Sequence, residues 1–99
     1  MLSEMDTGHQ VDTDSPRTLV FSTDGYVDQP GGANSFPFGN RRFRRLLFER
    51  RAVSLREQQQ MLKAEWDAYK GDRGQVDDVT VIGMRLDPNS LAQSLWRFG

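Results

Sequence analysis

Residues Arg17–Gln29 read Arg-Thr-Leu-Val-Phe-Ser-Thr-Asp-Gly-Tyr-Val-Asp-Gln, and this stretch decides the fold. A short run rich in leucine, valine and phenylalanine leads directly into Asp24, and Gly25 follows at once. Such a run predicts a buried β-strand, and glycine permits a sharp turn that a residue with a Cβ would resist. The pattern predicts a carboxylate at the end of a strand, with an ordinary Asp-Gly turn as the alternative interpretation.

A second stretch, Val76–Met84, reads Val-Asp-Asp-Val-Thr-Val-Ile-Gly-Met, so Asp77 and Asp78 precede another run of high β propensity. If the two strands are antiparallel, Asp24 and Asp77 meet at one edge of the sheet. Neighbouring carboxylates are costly unless a cation or a shared proton relieves them. With no cysteine and one histidine in the chain, Mg²⁺ or Mn²⁺ suits such a site better than zinc. The alternative is a solvated turn before the strand.

Together these stretches resemble the PPM-type (protein phosphatase 2C-like) serine/threonine phosphatases. Ser22–Asp28 is similar to the Ser/Thr-Asp-Gly motif of that family, and Asp77–Val81 is similar to its closing Asp-Asn/Asp-x-Thr-Val motif. Between them, Phe36–Gly39 and the arginine- and leucine-rich segment that follows resemble the bacterial branch typified by stage II sporulation protein E. The resemblance covers residues 17–86 and corresponds to the C-terminal half of the domain only.

The resemblance implies an α+β fold, a partial α-β-β-α phosphatase sandwich with few antiparallel strands and two to three helices. It implies that Asp24 and Asp77 are metal ligands for Mg²⁺ or Mn²⁺, and that Asp28 matches an acidic position that assists a further ion in some members. The implied activity is hydrolysis of phosphoserine or phosphothreonine in bacterial signalling proteins by metal-activated water. The motif of the N-terminal half is not recognised, so the chain alone is expected to be inactive.

The expected organisation has three parts. Residues 1–16 form a polar lead-in with a possible short strand at 9–12, residues 17–86 form the phosphatase-like part, and residues 87–99 form a short helix (Leu91–Phe98) or a tail. Only two strands are evident, and a two-stranded sheet is marginal alone. Both strands are nearly continuous apolar runs, which suits strands covered on both faces. The pattern therefore predicts a partner that completes the sheet, either the missing N-terminal half or a second chain.

Two helices are predicted between the strands. Asn40 is placed to cap the first, whose apolar residues Phe43, Leu46 and Leu47 recur at helical spacing. Ser54–Glu57 is a capping-box signature for the second. The predicted buried stripe of the second helix has four residues: Met61, Leu62, Trp66 and Tyr69. Gly71 is placed to end this helix.

Composition narrows the function classes. The chain is 36% hydrophobic and 27% charged with a net charge of −1, and it has neither an apolar run of membrane-spanning length nor a secretory signal pattern. These features, with the absence of cysteine, favour a cytoplasmic protein without a membrane role. Arg41–Arg51 holds six arginines, read as a solvated face or a phosphate or partner site, while the acidic remainder argues against nucleic acid. The rival function is a non-catalytic interaction module derived from the phosphatase domain.

Overall fold

The computed structural model describes residues 2–6, 17–87 and 90–98, with side chains described for 17–86 and 95–97. The elements in chain order are β1 (Leu2–Asp6), β2 (Arg17–Ser22), α1 (Asp24–Asp28), β3 (Pro30–Gly31), β4 (Phe36–Pro37), α2 (Asn40–Glu49), α3 (Leu55–Lys70), β5 (Val79–Asp87) and β6 (Ser90–Phe98). The predicted α+β class with few antiparallel strands and two to three helices is confirmed, since the described residues form three helices and antiparallel strands.

The main sheet has the strand order β1-β2-β5-β6, and every neighbouring pair is antiparallel. Strands β2 and β5 are central, and Ser22 at the end of β2 lies opposite Val81 near the start of β5. The predicted adjacency of the two apolar runs is therefore correct. Only these two strands were evident in the sequence, and β1 and β6 extend the sheet on both sides.

The predicted C-terminal helix at Leu91–Phe98 is wrong, since this segment forms β6 along the edge of β5. In β6 the exposed Leu95, the buried Trp96 and the exposed Arg97 alternate, as a strand requires. The apolar residues of the segment also fit helical spacing. Pairing with β5 supplies backbone hydrogen bonds along a whole strand edge, and these favour the strand.

The polar lead-in also contributes to the sheet. All five residues of β1 (Leu2–Asp6) pair with residues 17–21 of β2. The short strand expected at 9–12 lies outside the described residues. The pairing of β1 with β2 is a long-range contact that sequence pattern alone does not reveal.

The two faces of the sheet have different environments. On β2, Thr18, Val20 and Ser22 are buried beneath the helices, in alternation with exposed or half-buried neighbours. The opposite face carries a row of apolar side chains from β2, β5 and β6 that are neighbours in register. These side chains are partly open to solvent, with exposed fractions of 42%, 36% and 59% for Phe21, Ile82 and Leu95. Within the described part, the helices cover one face of the sheet, and this row lies on the other face, where the sequence predicts a completing partner.

Tyr26 of α1 is the centre of the core. Its ring lies 4.9–6.1 Å from four other aromatic rings, those of Phe38, Phe43, Trp66 and Trp96. The Tyr26 hydroxyl donates to the carbonyl oxygen of Leu62 at 2.6 Å, and Trp66 Nε1 donates to the Tyr26 carbonyl oxygen at 3.1 Å. These two hydrogen bonds fix the short helix α1 against α3.

We expect Tyr26 to make the protein less stable at alkaline pH. Burial raises the pKa of the Tyr26 phenol well above its usual range, and the charges of Glu65 and Asp67 add to this effect. Because the unfolded phenol ionises near pH ~10, the free energy of unfolding should fall by about 1.4 kcal/mol per pH unit above that pH. Tyr26→Phe should not show this fall in stability at high pH, because phenylalanine does not ionise. At pH 7 the free energy of unfolding of the variant should be lower than the parent's by about 1 kcal/mol, because the hydrogen bond to Leu62 is lost.

Denaturant unfolding of the parent and Tyr26→Phe from pH 7 to 11 measures both effects. The stability difference between the two proteins should shrink and then reverse as the pH rises past ~10, where the free phenol titrates. A difference that stays constant over this range would contradict the assignment of a buried, neutral Tyr26.

The helix ends follow local sequence signals in most cases. Ser54 caps α3, since its Oγ accepts a hydrogen bond from the Glu57 backbone N–H at 3.1 Å. Gly71 ends α3 with a φ of 60°, a conformation that glycine adopts without strain. The predicted cap of α2 is wrong by one residue, because Asn40 is the first helical residue and Gly39 precedes it without a side-chain cap.

The segment between α1 and α2 contains the short hairpin β3–β4, and α3 holds it in place. The Tyr69 hydroxyl donates to the Phe36 carbonyl oxygen at 2.7 Å, and the Gly32 N–H donates to the Tyr69 carbonyl oxygen at 3.0 Å. Arg73 Nη2 donates to the Gly32 carbonyl oxygen at 2.8 Å. This segment is therefore tied to the end of α3.

A second tie joins the sheet to the connection between α2 and α3. Arg85 of β5 donates from Nη1 to the Val53 carbonyl oxygen at 2.6 Å and from Nε to Thr18 Oγ1 at 3.1 Å. Burial lowers the pKa of the Arg85 guanidinium from its ordinary value. The partly buried charge is stabilised by these oxygen acceptors.

Candidate functional site

The end of β2 and the start of β5 are joined by hydrogen bonds beyond the last paired residues of β2. Thr23 N–H donates to the Thr80 carbonyl oxygen at 3.0 Å, and Thr80 N–H donates to Thr23 Oγ1 at 2.9 Å. The Thr23 hydroxyl also donates a hydrogen bond to the Asp78 carbonyl oxygen at 3.4 Å. This junction holds the two aspartate-bearing segments together at one edge of the sheet.

Asp24 is the first residue of α1 and is exposed. The sequence predicted a turn after β2, whereas the chain enters a short helix at this point. Thr23 precedes the helix with extended backbone angles but makes no side-chain cap, because its hydroxyl is used at the junction with β5. The Asp24 carboxylate therefore sits where a strand ends and a helix begins.

Gly25 is needed for close packing and not for a left-handed turn. It is buried, and it is absent from the glycines with positive φ in the described residues. A Cβ at this position would lie 2.3 Å from the carbonyl oxygen of Asp78 and 3.2 Å from a methyl carbon of Val79. The prediction of a glycine after Asp24 as a sharp-turn residue was therefore wrong in its reason, because the backbone of β5 occupies the space.

Asp77 lies in the loop that leads into β5, and the buried Gln29 secures this loop. Gln29 Nε2 donates to the Gly74 carbonyl oxygen at 3.0 Å, and its Oε1 accepts from Val76 N–H at 3.3 Å. The Asp77 carboxylate is exposed and accepts a hydrogen bond from the Asp78 N–H at 2.8 Å. Sequence analysis did not identify Gln29, since a single glutamine carries no pattern that reveals a distant loop partner.

The structure brings the segments of Asp24 and Asp77 to the same sheet edge. Asp28, also exposed, lies at the opposite end of α1 from Asp24. Across residues 2–6, 17–87 and 90–98, no three or more His, Cys, Asp or Glu side chains form a group that could hold a metal ion. Asp28 is therefore not gathered with the other two into a three-carboxylate cluster.

An open groove of about 430 Å³ runs from Asp24 onto the exposed face of the sheet. Thr23 and Thr80 of the junction line it, together with Phe21 and Ile82 from the uncovered apolar row. The edge that carries Asp24 is thus continuous with the sheet face that the described residues leave open.

The donor set suits a hard divalent cation in part. Carboxylate oxygens are the ligands that Mg²⁺ and Mn²⁺ prefer, and Mg²⁺ commonly binds through one or two carboxylates while it keeps several waters. Asp24 and Asp77 are exposed carboxylates at one edge, so their chemistry fits one such ion. Two carboxylates alone make a weak site, and further oxygen ligands would have to come from elsewhere.

None of the helices in the described segments combines the length and the apolar character needed to cross a membrane.

The arrangement of an antiparallel sheet, packed helices and a Thr-Asp-Gly junction is what the resemblance to protein phosphatase 2C-like domains predicts. No protein-family model matches the chain, and no curated protein matches it. The chain is similar to the solved SiaA-PP2C domain of Pseudomonas aeruginosa, with a TM-score of 0.70 and 39% sequence identity over 72% of this chain. It spans 29% of the length of that domain.

The chain therefore has the fold of part of a protein phosphatase 2C-like (PPM-type) domain, and the resemblance drawn from the sequence is confirmed at this level. The particular relative on which this assignment depends is the SiaA-PP2C domain.

Proposed function

We propose that this chain provides part of the metal site of a PPM-type protein serine/threonine phosphatase, which hydrolyses phosphoserine or phosphothreonine in a protein substrate. The observation that carries the proposal is the junction of β2 and β5, where Thr23 and Thr80 join the segments bearing Asp24 and Asp77. The likeness to the SiaA-PP2C domain supports the phosphatase class.

Asp24 and Asp77 would hold Mg²⁺ or Mn²⁺, and Asp28 would have at most an assisting role. A bound ion of this kind supplies a water activated for attack on phosphorus and neutralises charge on the phosphate oxygens. The chain's own residues position the carboxylates. Thr23 fixes the start of α1 through its bonds to β5, and Gln29 fixes the loop that carries Asp77.

The uncovered face of the sheet supports the view that further chain completes the domain. Phe21, Ile82 and Leu95 expose a row of apolar surface, and this chain spans 29% of the related domain. We propose that the N-terminal part of the domain covers this face and adds the remaining metal ligands, so that the present chain alone has little activity.

The absence of cysteine suits a reducing cytoplasm.

A chimera tests the proposal. The matching part of the SiaA-PP2C domain is replaced by this chain, and hydrolysis of a phosphoserine peptide is measured with Mn²⁺ and with a chelator. The proposal predicts Mn²⁺-dependent turnover by the chimera and none by the isolated chain. A folded chimera that shows no turnover, beside an active unmodified SiaA-PP2C domain, would contradict it.

The second candidate function is a non-catalytic interaction module. The exposed arginines of α2 favour it, because they form a charged face on the outer side of the domain. Partner binding that survives Asp24→Asn, Asp77→Asn and chelation, together with a chimera that stays inactive, would support the module over the enzyme.

A further inference from the structure

The outer side of α2 carries three arginines and a phenylalanine at helical spacing. Arg41, Arg44, Arg45 and Phe48 follow the i, i+3, i+4, i+7 pattern of a single helix face, and we call these four residues the arginine face. All four are exposed, with 58% of Phe48 open to solvent. The buried side of the same helix is formed by Phe43 and Leu47, so the arginine face points away from the core.

Two neighbouring arginines, Arg42 and Arg51, contact aromatic rings of this chain and are therefore not counted in the arginine face. The Arg42 guanidinium lies 4.3 Å from the centre of the Tyr69 ring and 5.4 Å from that of Phe38. Arg51 stacks on the Phe48 ring at 4.1 Å and donates to the Phe48 carbonyl oxygen at 2.8 Å. Arg51 covers part of the Phe48 ring, and much of the ring remains exposed.

The three arginines of the arginine face form no ion pair with any carboxylate among the described residues. The acidic side chain nearest in sequence is Glu49, which shares a groove with Arg45 and Glu65 but forms no ion pair with that arginine. Like charges three and four residues apart on one helix, such as those of Arg41, Arg44 and Arg45, repel each other. An external anionic group would relieve this repulsion, so the face has the electrostatic character of a binding surface.

The distribution of charge selects the class of partner. Residues 41–51 contain six arginines and one glutamate, in a chain whose net charge is −1. The rest of the chain is therefore acidic and repels extended polyanions such as duplex nucleic acid or an anionic bilayer. A short acidic segment can reach the face alone, since the residues from 41 to 48 span ~10 Å along the helix axis.

We propose that the arginine face binds an acidic segment of a partner protein, with Phe48 as an apolar anchor. Arginine and aromatic side chains are enriched in protein interfaces, and lysine is depleted there. Bidentate pairing with carboxylates suits arginine in particular. The interaction uses no residue of the sheet edge and does not depend on the proposed metal site.

Fluorescence anisotropy with a labelled peptide of glutamate and aspartate residues around one central leucine tests this proposal on the full chain. The triple variant Arg41→Gln, Arg44→Gln, Arg45→Gln should bind the peptide about tenfold more weakly, as the summed loss of three exposed charge pairs. Phe48→Ala should weaken binding further when added. Asp24→Asn should bind as the parent does, which separates this surface from the metal site.

The matched control removes three cations elsewhere, through Arg56→Gln, Lys63→Gln and Arg97→Gln, all at exposed positions. It should retain the parent's affinity within about twofold, because these cations lie outside the arginine face and exposed single charges contribute little. Circular dichroism confirms that each variant is folded. Equal losses in both triple variants would overturn the proposal. So would binding of duplex DNA or phosphatidylserine vesicles that is tighter than peptide binding and depends on the same three arginines.

Discussion

Gly25→Ala is expected to destabilise the protein by about 3 kcal/mol or more, at the upper end of overpacking costs. The added Cβ would lie 2.3 Å from the Asp78 carbonyl oxygen, and 3.0 Å from the carbonyl carbon of the same residue. Both atoms belong to the backbone leading into β5, so no flexible side chain can move aside. The substitution must push α1 away from β5 or distort the junction itself.

Urea denaturation followed by circular dichroism measures this loss. Gly74→Ala is the matched control, because a Cβ there meets nothing within 4 Å and the backbone is not left-handed. The control should change the free energy of unfolding by no more than about 0.5 kcal/mol. If the two variants were equally stable, the close approach of α1 to β5 would be refuted.

Asp24→Asn and Asp77→Asn should each reduce the Mn²⁺-dependent turnover of the active chimera by about 100-fold or more, since each removes a carboxylate ligand. Asparagine keeps the size of the side chain and removes its charge, so the fold should be retained. The apparent affinity for Mn²⁺ should fall along with turnover. Asp28→Asn should have a smaller effect, because Asp28 lies at the far end of α1.

Asp72→Asn is the control for this series, because Asp72 is an exposed aspartate in the loop after α3. It removes the same charge and should leave turnover and Mn²⁺ affinity unchanged. If Asp24→Asn and Asp77→Asn behaved like Asp72→Asn, the metal-ligand assignment would be wrong even in an active chimera.

Local signals predicted the features that local chemistry determines. The Ser54 cap, the end of α3 at Gly71 and the buried Leu62 and Trp66 follow from capping, backbone freedom and helical periodicity. The sequence placed Asp24 and Asp77 together on the condition that β2 and β5 are antiparallel neighbours, and they are. The arrangement of the aspartate-bearing segments followed from that adjacency.

Long-range contacts account for what the sequence did not reveal. The sequence pattern did not distinguish the strand β6 from a helix, because this segment forms a strand by pairing with the edge of β5. The reason for Gly25 depends on a carbonyl oxygen 53 residues further along the chain, at Asp78. The role of Gln29 depends on the loop containing Gly74 and Val76. No pattern within a short window encodes such pairs.

The uncovered sheet face shows the same limit in another form. The two apolar runs predicted strands that need cover on both faces, with a completing partner expected to supply the cover that the chain lacks. In the described residues, the helices cover one face, and Phe21 and Ile82 remain partly exposed on the other. The completing partner stays a prediction.

The most direct test of the central claim is Mn²⁺-induced broadening of backbone amide signals in the ¹⁵N-labelled chain. If Asp24 and Asp77 bind one cation together, substoichiometric Mn²⁺ should selectively broaden the amides of residues 23–26 and 77–79. This effect should disappear in Asp24→Asn and in Asp77→Asn and persist in Asp72→Asn. Broadening that is centred elsewhere, or that survives both substitutions, would contradict the account.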